Sequence, residues 1–289
     1  MPVKPQTNRA ADTPSTTHHP PNNPSPRPTP AAYADPVLSD EQLREFGERG
    51  YLVVPGVVAP EVVARAGRRI DGLIADEPPG EGHVGHHFYF PKAADEPALI
   101  GALMDAGSGG GPSAFAYAEA LADPGLLEAP RQVQVALNIP PFSHRPGRPH
   151  IDASISEPTP GFAPNSFTVL AGVFVTDQLS ENSGNLWVWP GTHLTHAEYF
   201  QERGIEMYCA YPDVKLPEPE QVTASAGDLL LAHYLLGHNI GGNYESETTR
   251  RMLYYRISGR GHSEGPERIL TEPWYEYGPV RALMEKPLG

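Results

Sequence analysis

The sequence places a histidine and an aspartate two positions apart, at His150 and Asp152, and a second histidine much later, at His238. Residues two apart on a strand point to the same face, so a strand over residues 150–154 would present one imidazole and one carboxylate together. Two histidines and one carboxylate form the facial triad of non-haem Fe(II) oxygenases, which leaves coordination positions open. These three residues are therefore the first candidates for a metal site.

The histidine-x-acid pattern is weak by itself, because the sequence contains it three times: His150/Asp152, His196/Glu198 and His262/Glu264. The first example is favoured by its place, directly after a loop rich in proline and glycine at residues 146–149. A His-Glu-x-x-His helix motif, typical of many zinc hydrolases, is absent from the sequence.

Two adjacent arginines, Arg250 and Arg251, begin the apolar segment 252–255. An arginine at the start of a buried strand is costly unless it is paired. Its planar guanidinium suits a bidentate carboxylate partner, such as the distal carboxylate of 2-oxoglutarate. The two side chains must face opposite ways on a strand, so only one of them can point inward.

The elements that would position these residues change in type along the chain. Ser39-Asp40-Glu41-Gln42 is a capping box that opens a short helix, a strand follows at 51–54, and Pro60 begins a second helix. Short strands are then predicted at 132–139, 150–154, 167–176, 185–189, 221–224, 228–234, 238–240 and 251–257, with a helix at 193–202. This pattern predicts an α+β fold, a double-stranded β-helix (jelly roll, cupin-like) with an N-terminal helical layer.

Residues 1–37 differ from the rest of the chain. Ten of the first 36 residues are proline, and the segment shows no hydrophobic periodicity. Such a segment buries too little apolar surface to offset the entropy of ordering, so we expect a disordered tail before a folded domain at 38–289.

Composition excludes several classes of function. The chain of 289 residues has a formal net charge of −14, with 35 acidic and 21 basic residues. Such an acidic chain is a poor partner for nucleic acid or an anionic membrane surface. The one cysteine, Cys209, permits no internal disulfide, and no apolar stretch approaches the ~20 residues of a membrane span. We expect a cytoplasmic protein whose partner is a small molecule; the sequence is silent on its oligomeric state.

Four ordered segments carry a resemblance to a known family: residues 38–56, the His150/Asp152 pair, residues 181–193 with their Pro190-Gly191-Thr192-His193 sequence, and residues 227–250. The chain resembles the phytanoyl-CoA dioxygenase family of Fe(II)- and 2-oxoglutarate-dependent oxygenases over about residues 38–258. The resemblance implies a cupin-like fold with Fe(II), 2-oxoglutarate and O₂ as cofactor and co-substrates.

The resemblance also assigns roles to individual positions. It implies that His150, Asp152 and His238 bind the metal, whereas His233 lies at a position that the family does not use. Arg250 matches the residue that holds the 2-oxoglutarate carboxylate, with Arg251 as the alternative. Further contacts to 2-oxoglutarate are expected from polar residues on suitable strands, namely Gln134, Asn138 and Thr168.

The implied function is a dioxygenase that hydroxylates a C–H bond of a small-molecule substrate, with natural-product metabolism as one setting for such a reaction. Two alternatives use the same three residues: a zinc-dependent hydrolase and a catalytically silent β-helix binding protein. Desaturation, epoxidation and cyclisation need the same ligands as hydroxylation, and the sequence does not choose among these reactions.

Overall fold

The structure is a computed structural model that describes residues 36–152 and 166–285. The predicted disorder of residues 1–37 therefore falls outside the described part of the chain, apart from its last two residues. No helix in the described ranges is long and apolar enough to cross a membrane.

In the described part of the chain, one α-helix precedes the first strand, four lie between strands and two follow the last strand. The α-helices are α1 (Asp40–Arg49), α2 (Pro60–Asp76), α3 (Pro97–Met104), α4 (Ala114–Leu121), α5 (Thr192–Arg203), α6 (Pro266–Thr271) and α7 (Gly278–Met284). Short 3₁₀ helices occur at Ala93–Asp95, Ser108–Gly110, Ile205–Cys209 and His262–Glu264.

The strands form two antiparallel sheets. They are β1 (Tyr51–Val54), β2 (Gly85–Tyr89), β3 (Gln134–Ile139), β4 (Val169–Phe174), β5 (Leu186–Val188), β6 (Glu220–Gln221), β7 (Leu229–His233), β8 (His238–Ile240) and β9 (Arg250–Ile257). The larger sheet has the order β1-β7-β4-β9-β3-β2, and the smaller sheet has the order β6-β5-β8. This architecture confirms the predicted α+β, cupin-like fold with N-terminal helices.

Helix α1 begins and ends as its sequence predicts. The Ser39 hydroxyl accepts a hydrogen bond from the Gln42 amide, and the Gln42 side chain accepts one from the Ser39 amide. Gly50 ends the helix with φ = 79°, in the left-handed region that favours glycine. Phe46 is fully buried, and its ring centroid lies 5.5 Å from that of Tyr277. This contact joins helix α1 to the C-terminal segment.

The two C-terminal helices were not anticipated from the sequence. Helix α6 has six residues and α7 has seven, too few for a clear apolar period. They are held by tertiary contacts: α7 packs against α1, and Tyr277 and Val280 are completely buried. The helical layer therefore includes residues from both ends of the folded domain.

The inward face of the large sheet is set by the antiparallel register. On the central strand β9, Arg250 lies opposite Asn138, and Tyr254 lies opposite Gln134. Because side chains alternate along a strand, Arg250, Tyr254 and Arg256 share one face. This face carries the polar residues that surround the candidate metal site.

Candidate metal centre

Three side chains from two distant parts of the chain meet at one point. One ligand atom from each of His150, Asp152 and His238 lies within 4.8 Å of the others. The Asp152 Oδ1 is 3.4 Å from His150 Nε2 and 3.6 Å from His238 Nε2. Two imidazole nitrogens and one carboxylate oxygen converging in this way fit a divalent transition metal such as Fe(II).

A short backbone bridge brings the two histidines together. The His150 amide donates to the His238 carbonyl at 2.9 Å, and the His238 amide donates back to His150 at 3.1 Å. The His238 Nδ1–H donates to the Leu236 carbonyl at 2.9 Å. This hydrogen bond fixes the tautomer, so the Nε2 lone pair of His238 faces the site.

The predicted strand at residues 150–154 is wrong in the described part of that range. His150 forms an isolated bridge, and Asp152 lies in a turn rather than in a strand; residues 153 and 154 lie outside the described ranges. Ile151 is buried between the two ligands with 4% exposure. The two ligand side chains therefore converge through a turn and not through strand alternation.

The two carboxylate oxygens of Asp152 have different neighbours. Oδ1 faces the histidines, whereas Oδ2 accepts a hydrogen bond from Arg256 Nε at 2.9 Å and forms an ion pair with Arg256 Nη2 at 2.7 Å. Burial by itself raises the pKa of Asp152, but hydrogen bonds from the histidines and the charge of Arg256 hold this pKa well below its usual range. The carboxylate is therefore ionised and able to bind a cation at neutral pH.

The imidazole of His238 responds to the same carboxylate. Its burial lowers the pKa, but the hydrogen bond and charge of Asp152 outweigh burial, and the pKa of His238 is raised above its ordinary value. A bound metal ion would replace this proton at Nε2, because a metal-binding histidine must be neutral.

The two arginines of strand β9 face opposite sides. Arg251 lies outward, where its Nη1 is 2.7 Å from an Asp71 carboxylate oxygen on α2. Arg250 is 1% exposed; its Nη2 donates to the Tyr254 hydroxyl at 2.6 Å and its Nε to Gln178 Oε1 at 3.5 Å.

The remaining nitrogen of Arg250 tests whether the site fits 2-oxoglutarate. Arg250 Nη1 is buried and has no hydrogen-bond partner among the described residues. A buried charged group without a partner is costly, and a carboxylate is the ligand that satisfies a guanidinium best. The residues present therefore fit the distal carboxylate of 2-oxoglutarate, and of the two adjacent arginines Arg250 is the buried one.

The three other predicted contacts lie in different places. Gln134 lines the cavity at the triad and accepts a hydrogen bond from Arg256 Nη1 at 2.8 Å. Asn138 is completely buried beside Arg250; its Nδ2 donates to the Gly241 carbonyl at 2.7 Å, while its Oδ1 has no partner among the described residues.

Thr168 does not line the cavity at the triad and belongs to a separate hydrogen-bond network. Its hydroxyl donates to Glu276 Oε2 at 2.7 Å and accepts from the Gly259 amide at 2.8 Å. Glu276 also lies 2.8 Å from His262 Nδ1. Since both functions of the hydroxyl are used here, we do not include Thr168 among the 2-oxoglutarate contacts.

A cavity of about 200 Å³ opens at the triad; we call it the triad cavity. Its apolar wall is formed by Phe88, Leu170, Leu186 and Ile240. Its polar side carries Gln134, Tyr254 and Arg256 next to the three ligands. A metal ion here would thus have water-excluding side chains on one side and hydrogen-bonding groups on the other.

His233 has both ring nitrogens engaged, as expected for a residue outside the metal site. Its Nδ1 accepts from the Leu235 amide at 3.0 Å, and its Nε2–H donates to the Pro273 carbonyl at 2.8 Å. The ring stacks on Tyr277 with a centroid separation of 4.9 Å. Burial holds its pKa well below the ordinary value, so this imidazole is neutral and acts in packing.

Arg256 is the site residue that sequence reasoning missed. It lies six positions after Arg250, on the same face of β9, and contacts both Asp152 and Gln134. Side chains alternate along a strand, so an inward-pointing Arg250 was the signal that could have placed Arg256 on the same inward face. Its partner Asp152 could not be inferred, because the two residues come together only through the fold.

The sequence model of the phytanoyl-CoA dioxygenase family matches residues 46–252. No curated protein sequence matches the chain. Solved structures do resemble it; those named below are less than 25% identical to this chain, and their likeness shows the fold.

Three of these structures are described by their ligands or activities. SnoK, a non-heme alpha ketoglutarate dependent carbocyclase from nogalamycin biosynthesis, is 19% identical with a TM-score of 0.55 and covers 77% of this chain and 85% of its own. HygX from Streptomyces hygroscopicus, with nickel and 2-oxoglutarate bound, is 18% identical with a TM-score of 0.53, over 77% and 88% of the chains. EctD from S. alaskensis, with bound Fe, is 17% identical with a TM-score of 0.53, over 78% of each chain.

The family match spans more than half of the sequence and includes all three converging ligands and Arg250. It confirms the family predicted from the ordered motifs. The chain belongs to the phytanoyl-CoA dioxygenase family.

Proposed function

We propose that this protein is an Fe(II)- and 2-oxoglutarate-dependent dioxygenase that hydroxylates a C–H bond of a small-molecule substrate. The observation that carries the proposal is the pairing of two features in one site. His150, Asp152 and His238 converge as a two-histidine, one-carboxylate set, and Arg250, which donates to Tyr254 in the lining of the triad cavity, has a buried Nη1 without a partner among the described residues. HygX, a structural neighbour, binds nickel and 2-oxoglutarate.

Each of the three residues offers one atom to the metal. Nε2 of His150, Oδ1 of Asp152 and Nε2 of His238 would hold Fe(II) on one side, which leaves the opposite side open. Arg250 would hold the distal carboxylate of 2-oxoglutarate through Nη1. When bound, Fe(II) with 2-oxoglutarate and O₂ supplies an oxidant for C–H bonds, with succinate and CO₂ as co-products.

The protein's own residues orient the reactants and limit water. The Leu236 carbonyl keeps the Nε2 lone pair of His238 directed at the metal position. Arg256 holds the second oxygen of Asp152 and so keeps Oδ1 aimed at the histidines. The apolar wall of the triad cavity, which includes Leu170 and Leu186, shields the reacting position from bulk solvent.

The arginine also separates the proposal from a zinc hydrolase. Hydrolysis at a zinc-bound water needs no buried guanidinium beside the ligands, whereas a dicarboxylate co-substrate does. The same group indicates an anionic ligand, because a buried N–H without a partner among the described residues is costly. Turnover in the assay below separates an enzyme from a silent binding protein.

The test is a turnover assay with defined components. The protein is purified without added metal and loaded with Fe(II) or Zn(II). It is then supplied with 2-oxoglutarate and air, and a panel of small molecules is scored by succinate release. We expect succinate only with Fe(II), and a product that has gained one oxygen atom. Succinate release with Zn(II), or substrate hydrolysis without 2-oxoglutarate, would contradict the proposal.

The kind of oxidation is tested by the product itself. SnoK is described as a carbocyclase and SnoN, another structural neighbour, as an epimerase. Mass spectrometry of the product distinguishes these outcomes: hydroxylation adds oxygen, ring closure removes two hydrogens, and epimerisation leaves the mass unchanged. Succinate release with an unchanged product mass would support the assignment of Fe(II) and 2-oxoglutarate and would contradict hydroxylation.

A further inference from the structure

A second and larger cavity adjoins the triad cavity. It has a volume of about 610 Å³, and it shares Gln134, Tyr254 and Arg256 with the triad cavity as common wall residues. It extends from this shared wall towards the segment before β3 and the segment after β9. A molecule lying in it would reach the metal position past Gln134 and Arg256. We call it the arginine cavity, after Arg131, Arg256 and Arg260 in its lining.

The lining of the arginine cavity is mostly polar among the described residues. Apart from the arginines, its polar members include Glu128, Gln132, Ser166, Ser258, His262 and Ser263. Apolar side chains are few, with Phe167 and Pro130 as examples. A long hydrocarbon chain would leave these groups without hydrogen-bond partners, so the lining suits a molecule that forms hydrogen bonds.

The charge of this lining is opposite to that of the chain. The whole chain has a formal charge of −14, yet the described lining holds three arginines and one glutamate, Glu128. Arg256 is neutralised by Asp152, which leaves Arg131 and Arg260. Neither of these forms an ion pair with a carboxylate in residues 36–152 and 166–285; Arg260 donates to the Gly125 carbonyl, which leaves its charge uncompensated.

We infer that the arginine cavity binds the substrate, and that this substrate is a polar anion carrying a carboxylate or phosphate group held by Arg131 and Arg260. The inference rests on the proposed function, since it assigns the substrate class of the same site. A cavity with a net positive charge concentrates anionic ligands and favours one orientation of them.

The position of the two arginines sets where the anion lies relative to the metal. Arg131 precedes Gln134, a residue of the shared wall, by three positions, which is about 10 Å of extended chain. Arg260 follows Arg256 by four positions, beyond the end of β9. The anionic group is therefore held remote from the reacting C–H bond, which is presented to the triad through the shared wall.

The experiment measures anion binding apart from turnover. The protein is loaded with Ni(II) and 2-oxoglutarate, and isothermal titration gives the Kd of phenyl phosphate and of the neutral probe benzyl alcohol. We compare the unmodified chain with the double variant Arg131→Gln/Arg260→Gln. The control is Arg44→Gln, which removes one arginine charge from an exposed position on α1.

We expect phenyl phosphate to bind more tightly than benzyl alcohol, and the double variant to weaken it at least tenfold, since a hydrogen bond to a charged group contributes about that factor. The control should change the Kd by less than about twofold, as expected for a distant, screened charge. Circular dichroism and Ni(II) binding of the double variant show whether it is folded.

Two results would overturn the inference: equal affinity for the two probes, or an equal loss in the double variant and in Arg44→Gln. The outcome is separable from the proposed function. If Ni(II) and 2-oxoglutarate do not bind, but the Kd of phenyl phosphate still depends on the two arginines, the cofactors are rejected and the anion site is retained. Cofactor binding with no arginine-dependent anion affinity would reject only the substrate class.

Discussion

Arg256 and Asp152 form a two-point contact at the candidate metal centre: Nε and Nη2 of the arginine lie 2.9 and 2.7 Å from the same oxygen, Oδ2. The other oxygen, Oδ1, faces His150 and His238. Because Oδ2 is occupied, the carboxylate is arranged to offer a metal one oxygen. Arg256 thus acts as a positioning residue for a ligand that lies in a turn.

The first prediction concerns this contact. Arg256→Ala should weaken metal binding by about tenfold or more, since groups that orient metal ligands typically contribute 10–100-fold to metal affinity. Titration with Mn(II) in the absence of O₂ measures this directly. Arg251→Ala is the control, because Arg251 pairs with Asp71 on the opposite face of the strand. Unchanged or tighter Mn(II) binding in Arg256→Ala would show that Arg256 does not position Asp152.

The second prediction separates the two adjacent arginines. Arg250→Ala should raise the KM for 2-oxoglutarate by roughly 30-fold or more, because truncating one partner of a buried charge pair costs about 2–5 kcal/mol. Arg250→Lys should restore part of the affinity, since lysine keeps the charge and loses the planar fork. Arg251→Ala should change this KM by less than about threefold. A larger rise in this KM for Arg251→Ala than for Arg250→Ala would show that Arg251 binds the 2-oxoglutarate carboxylate.

The third prediction concerns acid stability and two buried histidines away from the metal site. Burial lowers the pKa of His193 to about 3 and that of His196 to about 4, although backbone carbonyls of Gly47 and Leu235 partly oppose this. The unfolded chain binds protons at these groups near their ordinary pKa of 6.5, whereas the folded chain does not. The free energy of unfolding therefore falls as the pH falls, by about 2 kcal/mol for each histidine between pH 7 and pH 5.

Urea unfolding at pH 7 and pH 5 checks this, with His193→Gln as the informative variant. The Nε2–H of His193 donates to the Gly47 carbonyl at 3.1 Å, and a glutamine amide can replace that donor. The variant should lose about 2 kcal/mol less than the unmodified chain on acidification, whatever its stability at pH 7. An identical pH dependence in the two proteins would show that His193 is protonated in the folded state.

The fourth prediction concerns a close backbone approach behind Arg250. Gly184 has φ = 83°, and a Cβ there would lie 3.0 Å from the Cβ of Arg250 and 3.1 Å from that of Asn138. Gly184→Ala should therefore destabilise the protein by about 1–3 kcal/mol for the strained left-handed residue and by about 1–3 kcal/mol more for the crowding, and Gly56→Ala should show only the first loss. Thermal unfolding measures the change. Gly56→Ala is the control, because Gly56 has φ = 65° but no atom lies within 4 Å of the added Cβ. Equal losses of stability in the two variants would show that backbone strain alone, without crowding, causes the effect.

Much of the fold could be predicted because its local signals are strong. The capping box at Ser39 fixes the start of α1, and Gly50 in the left-handed region fixes its end. The apolar runs in β4 and β7 are completely buried strands, as their composition indicates. These elements depend on nearby residues, which is why sequence reasoning finds them.

The parts that could not be predicted depend on contacts between distant residues. The turn at Asp152 was predicted as a strand, because period-two spacing cannot distinguish a strand from a turn that brings both ligands together. Thr168 was expected near 2-oxoglutarate, but Glu276 and the Gly259 amide engage its hydroxyl. The contact of Arg256 with Asp152 joins residues 104 positions apart and has no local signature.

The central claim is that His150, Asp152 and His238 hold one Fe(II) and that His233 does not. The most direct measurement is the iron content of each alanine variant after anaerobic loading with Fe(II) and removal of free metal. We predict about one iron per chain in the unmodified protein and in His233→Ala, and almost none in His150→Ala, Asp152→Ala or His238→Ala. Loss of iron in His233→Ala together with full iron in His238→Ala would contradict the account.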